Sequence, residues 1–119
     1  MTRLRALAAS VLLAALFAAA QGAAHAVKTG STPPDGAVLS RTPAEIGMDF
    51  DTPIRITMAR LTGADGVEAR LERSDGMRPT TRFRATPVEL APGIWRLEWR
   101  GLAEDGHVMQ GAFGFEIRD

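Results

Sequence analysis

Apolar and polar residues alternate with a period of two along most of the chain. Ile46, Met48 and Phe50 are separated by Gly47 and Asp49. Ile54, Ile56 and Met58 are separated by Arg55 and Thr57. The same spacing recurs at Val67, Ala69 and Leu71, at Trp95, Leu97 and Trp99, and at Phe113, Phe115 and Ile117. Side chains of an extended chain point to opposite faces in turn, so each run predicts a strand with one buried and one solvated face. No apolar stripe of helical period follows Ala26. Turn-forming pairs fall between the runs: Pro33-Pro34-Asp35-Gly36, Gly63-Ala64-Asp65-Gly66, Asp75-Gly76 and Pro92-Gly93. Gly66 and Gly76 can supply the positive φ of a hairpin turn at no steric cost. About seven short strands are expected, folded as an antiparallel β-sandwich or small Greek-key barrel. The least regular stretch, residues 30–43, is expected to be a loop that crosses between sheets.

The first 24 residues break the pattern. They hold no acid, two basic residues (Arg3 and Arg5), an Ala-rich apolar run over residues 6–20, and then Gln21, Gly22, Ala23 and Ala24. Basic, then apolar, then small residues is the order of a secretory signal peptide. A membrane anchor would need about 20 consecutive apolar residues. On the residues alone three cuts are open: after Gly22, after Ala24, or after Ala26. The expected organisation is a signal peptide at 1–24 and one β-domain at 25–119, exported to a periplasm.

Composition narrows the chemistry. The 119 residues include no Cys, which excludes disulfides, thiolate metal sites and a Cys nucleophile. Fourteen basic residues balance fourteen acidic ones, without the basic excess of a nucleic-acid binder. Removing residues 1–24 takes away two Arg and no acid, leaving 95 residues of formal charge −2. A domain of this size buries only about 60% of its unfolded surface, so its core is modest.

Only two His are present, His25 and His107. Asp-Gly occurs four times, and only the copy at 105–106 is followed by His. A D-x-H triplet alone is more often a turn than a ligand pair. A His at a mature N-terminus, however, can grip one metal with both its amine and its ring Nδ1. The amine's reference pKa is about 7.7–8.0, so a metal can displace its proton near neutral pH. His25, His107 and Asp105 together would offer three nitrogens and one oxygen, a donor set suited to Cu(II).

Several strings extend this. His25-Ala26 is followed by Ser31-Thr32-Pro33-Pro34-Asp35-Gly36-Ala37-Val38-Leu39. Pro92-Gly93-Ile94-Trp95-Arg96-Leu97-Glu98-Trp99-Arg100 comes later, then Glu104-Asp105-Gly106-His107, then Gly111-Ala112-Phe113-Gly114-Phe115. In order and spacing, over residues 25–119, the chain resembles the CopC family of periplasmic copper-resistance proteins. The resemblance implies an immunoglobulin-like, cupredoxin-like β-sandwich. It implies that His25 is the first mature residue, which selects the cut after Ala24, and that Asp105 and His107 join it around Cu(II). It further implies that the protein sequesters copper or passes it to a CopD-like inner-membrane transporter; a monomer is expected. Some members carry a second, Cu(I) site in a Met-rich segment with a His. Here Met48, Met58, Met77 and Met109 are scattered and no third His exists, so one Cu(II) site is expected. Met48 and Met58 are expected in the core, and Met109 as a partly buried filler. Trp95 and Trp99 are expected as core residues, which leaves no aromatic platform for a copper monooxygenase acting on polymers; no enzyme activity is expected. The remaining alternative is a metal-free immunoglobulin-like envelope module.

Overall fold

The computed structural model describes residues 26–119. Eight strands follow in chain order: β1 (Lys28–Thr32), β2 (Ala37–Leu39), β3 (Ile46–Gly63), β4 (Glu68–Ala69), β5 (Leu71–Arg73), β6 (Thr80–Pro87), β7 (Gly93–Ala103) and β8 (Val108–Ile117). Among the described residues there is no helix. The all-β class expected from the alternation is the class that forms.

The architecture turns on β3. At 18 residues it is longer than the usual strand of about 3–10, and it serves two layers. Residues 46–49 pair with β6, and residues 47–50 pair with β1. Residues 54–63 pair instead with β7. Ile54 stands at the junction, opposite both Thr80 of β6 and Ala103 of β7. The residues before it include Pro53, which has no N–H to give to a ladder, and the register shifts here. A strand that bends from one sheet into the other makes the corner of a sandwich. The hydrogen-bonded path runs β2-β8-β7-β3-β6-β5, with β1 and β4 also on β3. It curls into one layer of β1, early β3, β6 and β5 and another of late β3, β7, β8, β2 and β4.

The core lies between the layers. Ile46, Met48, Phe50, Ile54, Ile56 and Leu61 of β3 meet Phe83 of β6, Trp95, Leu97 and Trp99 of β7, and Phe113, Phe115 and Ile117 of β8. All are nine-tenths or more buried. Phe50 meets Trp99 edge to face, with ring centroids 5.3 Å apart, an arrangement favoured by the ring quadrupoles. Both tryptophans are thus core residues, as their alternation implied. Lys28 enters from β1 with its ammonium 5.1 Å from the Phe113 ring centre, so a basic residue closes the edge of the core through a cation–π contact.

Three local expectations are corrected. First, Met58 is not in the core. Ile56 faces Gly101 and Met58 faces Arg100, so Thr57 is an extra residue on β3. One inserted residue moves everything after it to the other face; Ala59 and Leu61 take the inward positions instead. Second, residues 67–71 are not one strand. β4 pairs with β3 and β5 with β6, so the run divides at Arg70 to serve both layers. Val67 is 59% exposed. Third, residues 30–43 are not all loop. Residues up to Thr32 belong to β1, and β2 runs parallel to β8, opposite Phe115, Glu116 and Ile117. The connection between them is fastened by Gly36 N–H to Gly114 O (2.7 Å) and by Gly114 N–H to Asp35 Oδ1 (2.9 Å). The expected crossing between layers occurs, but each of its ends is hydrogen-bonded strand, and the sheet is mixed.

Candidate metal site

The β7–β8 hairpin is paired up to Leu102 opposite Val108. The four residues beyond Ala103 must then reverse the chain. Ala103 N–H donates to His107 O (3.0 Å) and Gly106 N–H to Ala103 O (2.9 Å). Gly106 sits at φ +87°, a left-handed conformation that glycine adopts without Cβ strain. Asp105 completes the turn: its Oδ1 accepts the backbone N–H of His107 at 3.0 Å.

The other carboxylate oxygen does different work. Asp105 Oδ2 lies 2.7 Å from His107 Nδ1. A carboxylate accepts, so Nδ1 carries the hydrogen and the lone pair of the neutral ring is on Nε2. Carboxylate-supported imidazoles of this kind are the usual form of a metal-binding histidine, because the bond fixes both tautomer and orientation. The His107 side chain is 57% exposed and that of Asp105 33%, so a metal ion can reach both. The D-G-H spacing therefore delivers a turn and an oriented imidazole from the same three residues.

His25 lies outside the described residues. The chain that follows it is tied down: Val27 N–H donates to Asp51 Oδ1 (2.7 Å) and Asp51 N–H to Val27 O (3.0 Å), while Ala26 is buried. Asp51 precedes by three residues Ile54, which pairs with Ala103 at the foot of the 104–107 turn. Residues 26 and 27 thus enter the fold at the same end as Asp105 and His107. The fastening by Asp51 is not legible in the sequence, since no local pattern pairs residue 27 with residue 51.

Among the described residues, no three His, Asp or Glu side chains gather as a metal cluster. Asp105 and His107 form a pair, to which further donors must be added for a complete metal site. Met109 packs against the core as a partly buried residue, in line with its expected role as filler. Met48 is fully buried, and Met77 is half exposed on another turn. These methionines do not form a soft-donor group.

Comparison with known proteins agrees with the pattern. Residues 28–118 match the family model of the CopC domain. A curated relative, copper resistance protein C of Xanthomonas campestris pv. juglandis, is 29% identical over 123 residues, covering 91% of each chain. Among solved structures, CopC from Methylosinus trichosporium OB3b superposes with a TM-score of 0.64 at 18% identity, covering 78% of this chain and 93% of that one. PcoC, a methionine-rich copper resistance protein from Escherichia coli, superposes with a TM-score of 0.63 at 23% identity, covering 80% of this chain and all of that one.

Proposed function

The chain belongs to the CopC family of periplasmic copper-resistance proteins, which bind copper and are not enzymes, and on that basis we propose that it carries a single Cu(II) ion held by His25, His107 and Asp105. In this reading residues 1–24 are removed after Ala24. The freed amine and Nδ1 of His25 form a chelate ring on the metal, His107 adds a ring nitrogen, and Asp105 adds a carboxylate oxygen as its hydrogen bond to the His107 ring gives way to the metal. Three nitrogens and one oxygen in a roughly square arrangement suit Cu(II), and the absence of Cys leaves no thiolate to favour Cu(I). The scattered methionines point to one copper site rather than two.

The observation that carries the proposal is the Asp105–His107 clamp at the end of the fold where residues 26 and 27 are fastened. Binding requires a deprotonated amine and neutral imidazoles, so acidification releases the ion. The copper is cargo: the protein sequesters it outside the cytoplasm or hands it, as a monomer, to a CopD-like inner-membrane transporter.

Native mass spectrometry of protein exported by a bacterial host, with one equivalent of Cu(II), tests this directly. The expected mass begins at His25 and retains one copper, and the copper is lost in His107→Ala. A mature chain that begins at Val27, or one that begins at His25 and retains no copper, overturns the proposal.

A further inference from the structure

One side of β8 is covered by β7 along the whole strand. On the other side β2 lies only against residues 115–117, and Asp35 and Gly36 bond Gly114. Among the described residues no strand lies there against residues 108–113. Two hydrogen bonds fix the direction of their main-chain groups. Ala103 N–H donates to His107 O on the β7 side, whereas Gly36 N–H donates to Gly114 O on the other. Main-chain groups of an antiparallel strand alternate in direction. The N–H and C=O of Val108, Gln110 and Ala112 therefore all point away from β7 and are unpaired.

Such an edge is a template for another strand, and proteins blunt it with charge, proline, bulges or brevity. Other edges among the described residues are blunted. β1 carries Lys28 and a register shift, β2, β4 and β5 have three residues or fewer, and the open stretch of β6 carries Arg82 and Arg84. Residues 108–115, Val-Met-Gln-Gly-Ala-Phe-Gly-Phe, hold no charge and no proline, and they pair with β7 in unbroken register. A buried donor marks the same place. Trp99 stands opposite Gly111, is 4% exposed, and its Nε1 has no acceptor among the described residues. That nitrogen is 3.0 Å from where a Cβ on Gly111 would stand, and Gly111 is itself exposed. Buried donors are nearly always satisfied, so this one asks what comes to rest beside Gly111.

We infer that β8 pairs with β8 of a second copy of this chain, antiparallel, about a two-fold axis at Gln110. This register uses every free group. Gln110 meets Gln110 and each Val108 meets an Ala112, which gives about six main-chain hydrogen bonds. It ends before Gly114, whose outward groups are already taken. The side chains suit it as well. On the outer face two Gln110 amides bond each other, and Val108, 69% exposed, lies across from the small Ala112. On the inner face the half-buried Met109 lies across from Gly111, beside the Trp99 edge, and a thioether sulfur is a weak acceptor. The segment has no charge to repel its own copy. A strand of an unrelated protein would meet the same main-chain groups without this match of large against small. So short a segment buries less than the roughly 800 Å² per partner of a standard interface. The pair is therefore weak and returns to monomer on dilution. It does not rest on the copper reading above.

The test uses exported, metal-free protein labelled with ¹⁵N, at concentrations from about 10 μM to about 1 mM. Sedimentation velocity is expected to show a monomer–dimer equilibrium. Amide shifts that grow with concentration are expected to centre on residues 108–112. Ala112→Pro removes an N–H that bonds nothing in the monomer, so the fold is kept and the dimer is lost. Gln110→Lys sets like charges against each other across the axis and weakens the dimer by about fivefold or more, and Gln110→Glu does the same. An equimolar mixture of Gln110→Lys with Gln110→Glu regains the pairing, because a two-fold axis at residue 110 sets the opposite charges face to face. A chain that stays monomeric throughout, shifts that centre away from β8, a dimer indifferent to Gln110→Lys, or a mixture that pairs no better than its components would overturn the inference.

Discussion

At the scale of single residues, one carboxylate sets the direction of the His107 ring. Asp105 meets both the backbone and the ring of His107, so its removal frees the imidazole to rotate and to exchange tautomers. Loss of such a supporting group typically costs 10–100-fold in metal affinity. Asp105→Asn is therefore expected to lower Cu(II) affinity by about 10–100-fold, and His107→Ala to lower it further, both read by competition with a chelator of known affinity. Gly106 is the other residue on which the turn depends. At φ +87° a Cβ is strained, and a non-glycine residue held in a left-handed conformation costs of order 1–3 kcal/mol. Gly106→Ala is expected to lower unfolding stability by about 1–2 kcal/mol in a urea titration. Gly106→Asn should cost less, because Asn tolerates this region.

Among the elements, β3 and β5 carry features that strand periodicity does not announce. The bulge at Thr57 separates two methionines of similar appearance in sequence. Met48 has no exposed surface, and Met58 lies on the outer side of the sheet. Truncating a buried methionine costs about 2–5 kcal/mol, so Met48→Ala is expected to fall in that range and Met58→Ala below about 1 kcal/mol, by chemical denaturation. At the end of β5, Arg73 donates to both oxygens of Asp75 (3.0 and 2.8 Å) and to the carbonyl of Ile56 (2.6 Å). It also lies 5.0 Å from the Phe83 ring centre. Hydrogen bonding to Arg73 holds the Asp75 carboxyl below the usual carboxylate range, against the opposing effect of burial. A depressed folded-state pKa contributes stability that is present above the unfolded value and lost as pH falls through the folded one. Asp75→Asn is accordingly expected to destabilise by about 1–2 kcal/mol near neutrality. The gap between variant and parent should close as pH drops below about 4, followed by urea titrations across pH.

For the molecule as a whole, the consequence of a strand shared by two layers is cooperativity. Ile54 pairs with both β6 and β7, and the two layers interlock through Phe50 and Trp99. Neither layer keeps its buried face if the other opens. Unfolding is expected to be concerted, with tryptophan fluorescence, which reports β7, and far-UV circular dichroism, which reports all strands, giving coincident transitions. Ile54→Val should move both curves together by about 0.5–1.5 kcal/mol. Separate transitions would show that the layers fold independently.

The local pattern of residues was enough to determine several things. Alternation fixes which face of an extended segment is apolar, and so the core strings Ile46-Met48-Phe50, Trp95-Leu97-Trp99 and Phe113-Phe115-Ile117 are legible in the sequence alone. The D-G-H triplet is legible as a turn with a candidate ligand, because a carboxylate two residues from a histidine acts within the turn itself. What pairing between distant segments decides is not legible. The outward turn of Met58, the division of residues 67–71 between layers, the parallel run of β2 on β8, and the fastening of Val27 by Asp51 each depend on a neighbour that is remote in sequence. A period of two records only the side a residue takes relative to its own chain. Which chain lies beside it, and where one strand carries an extra residue, follows from closing two layers over one small core.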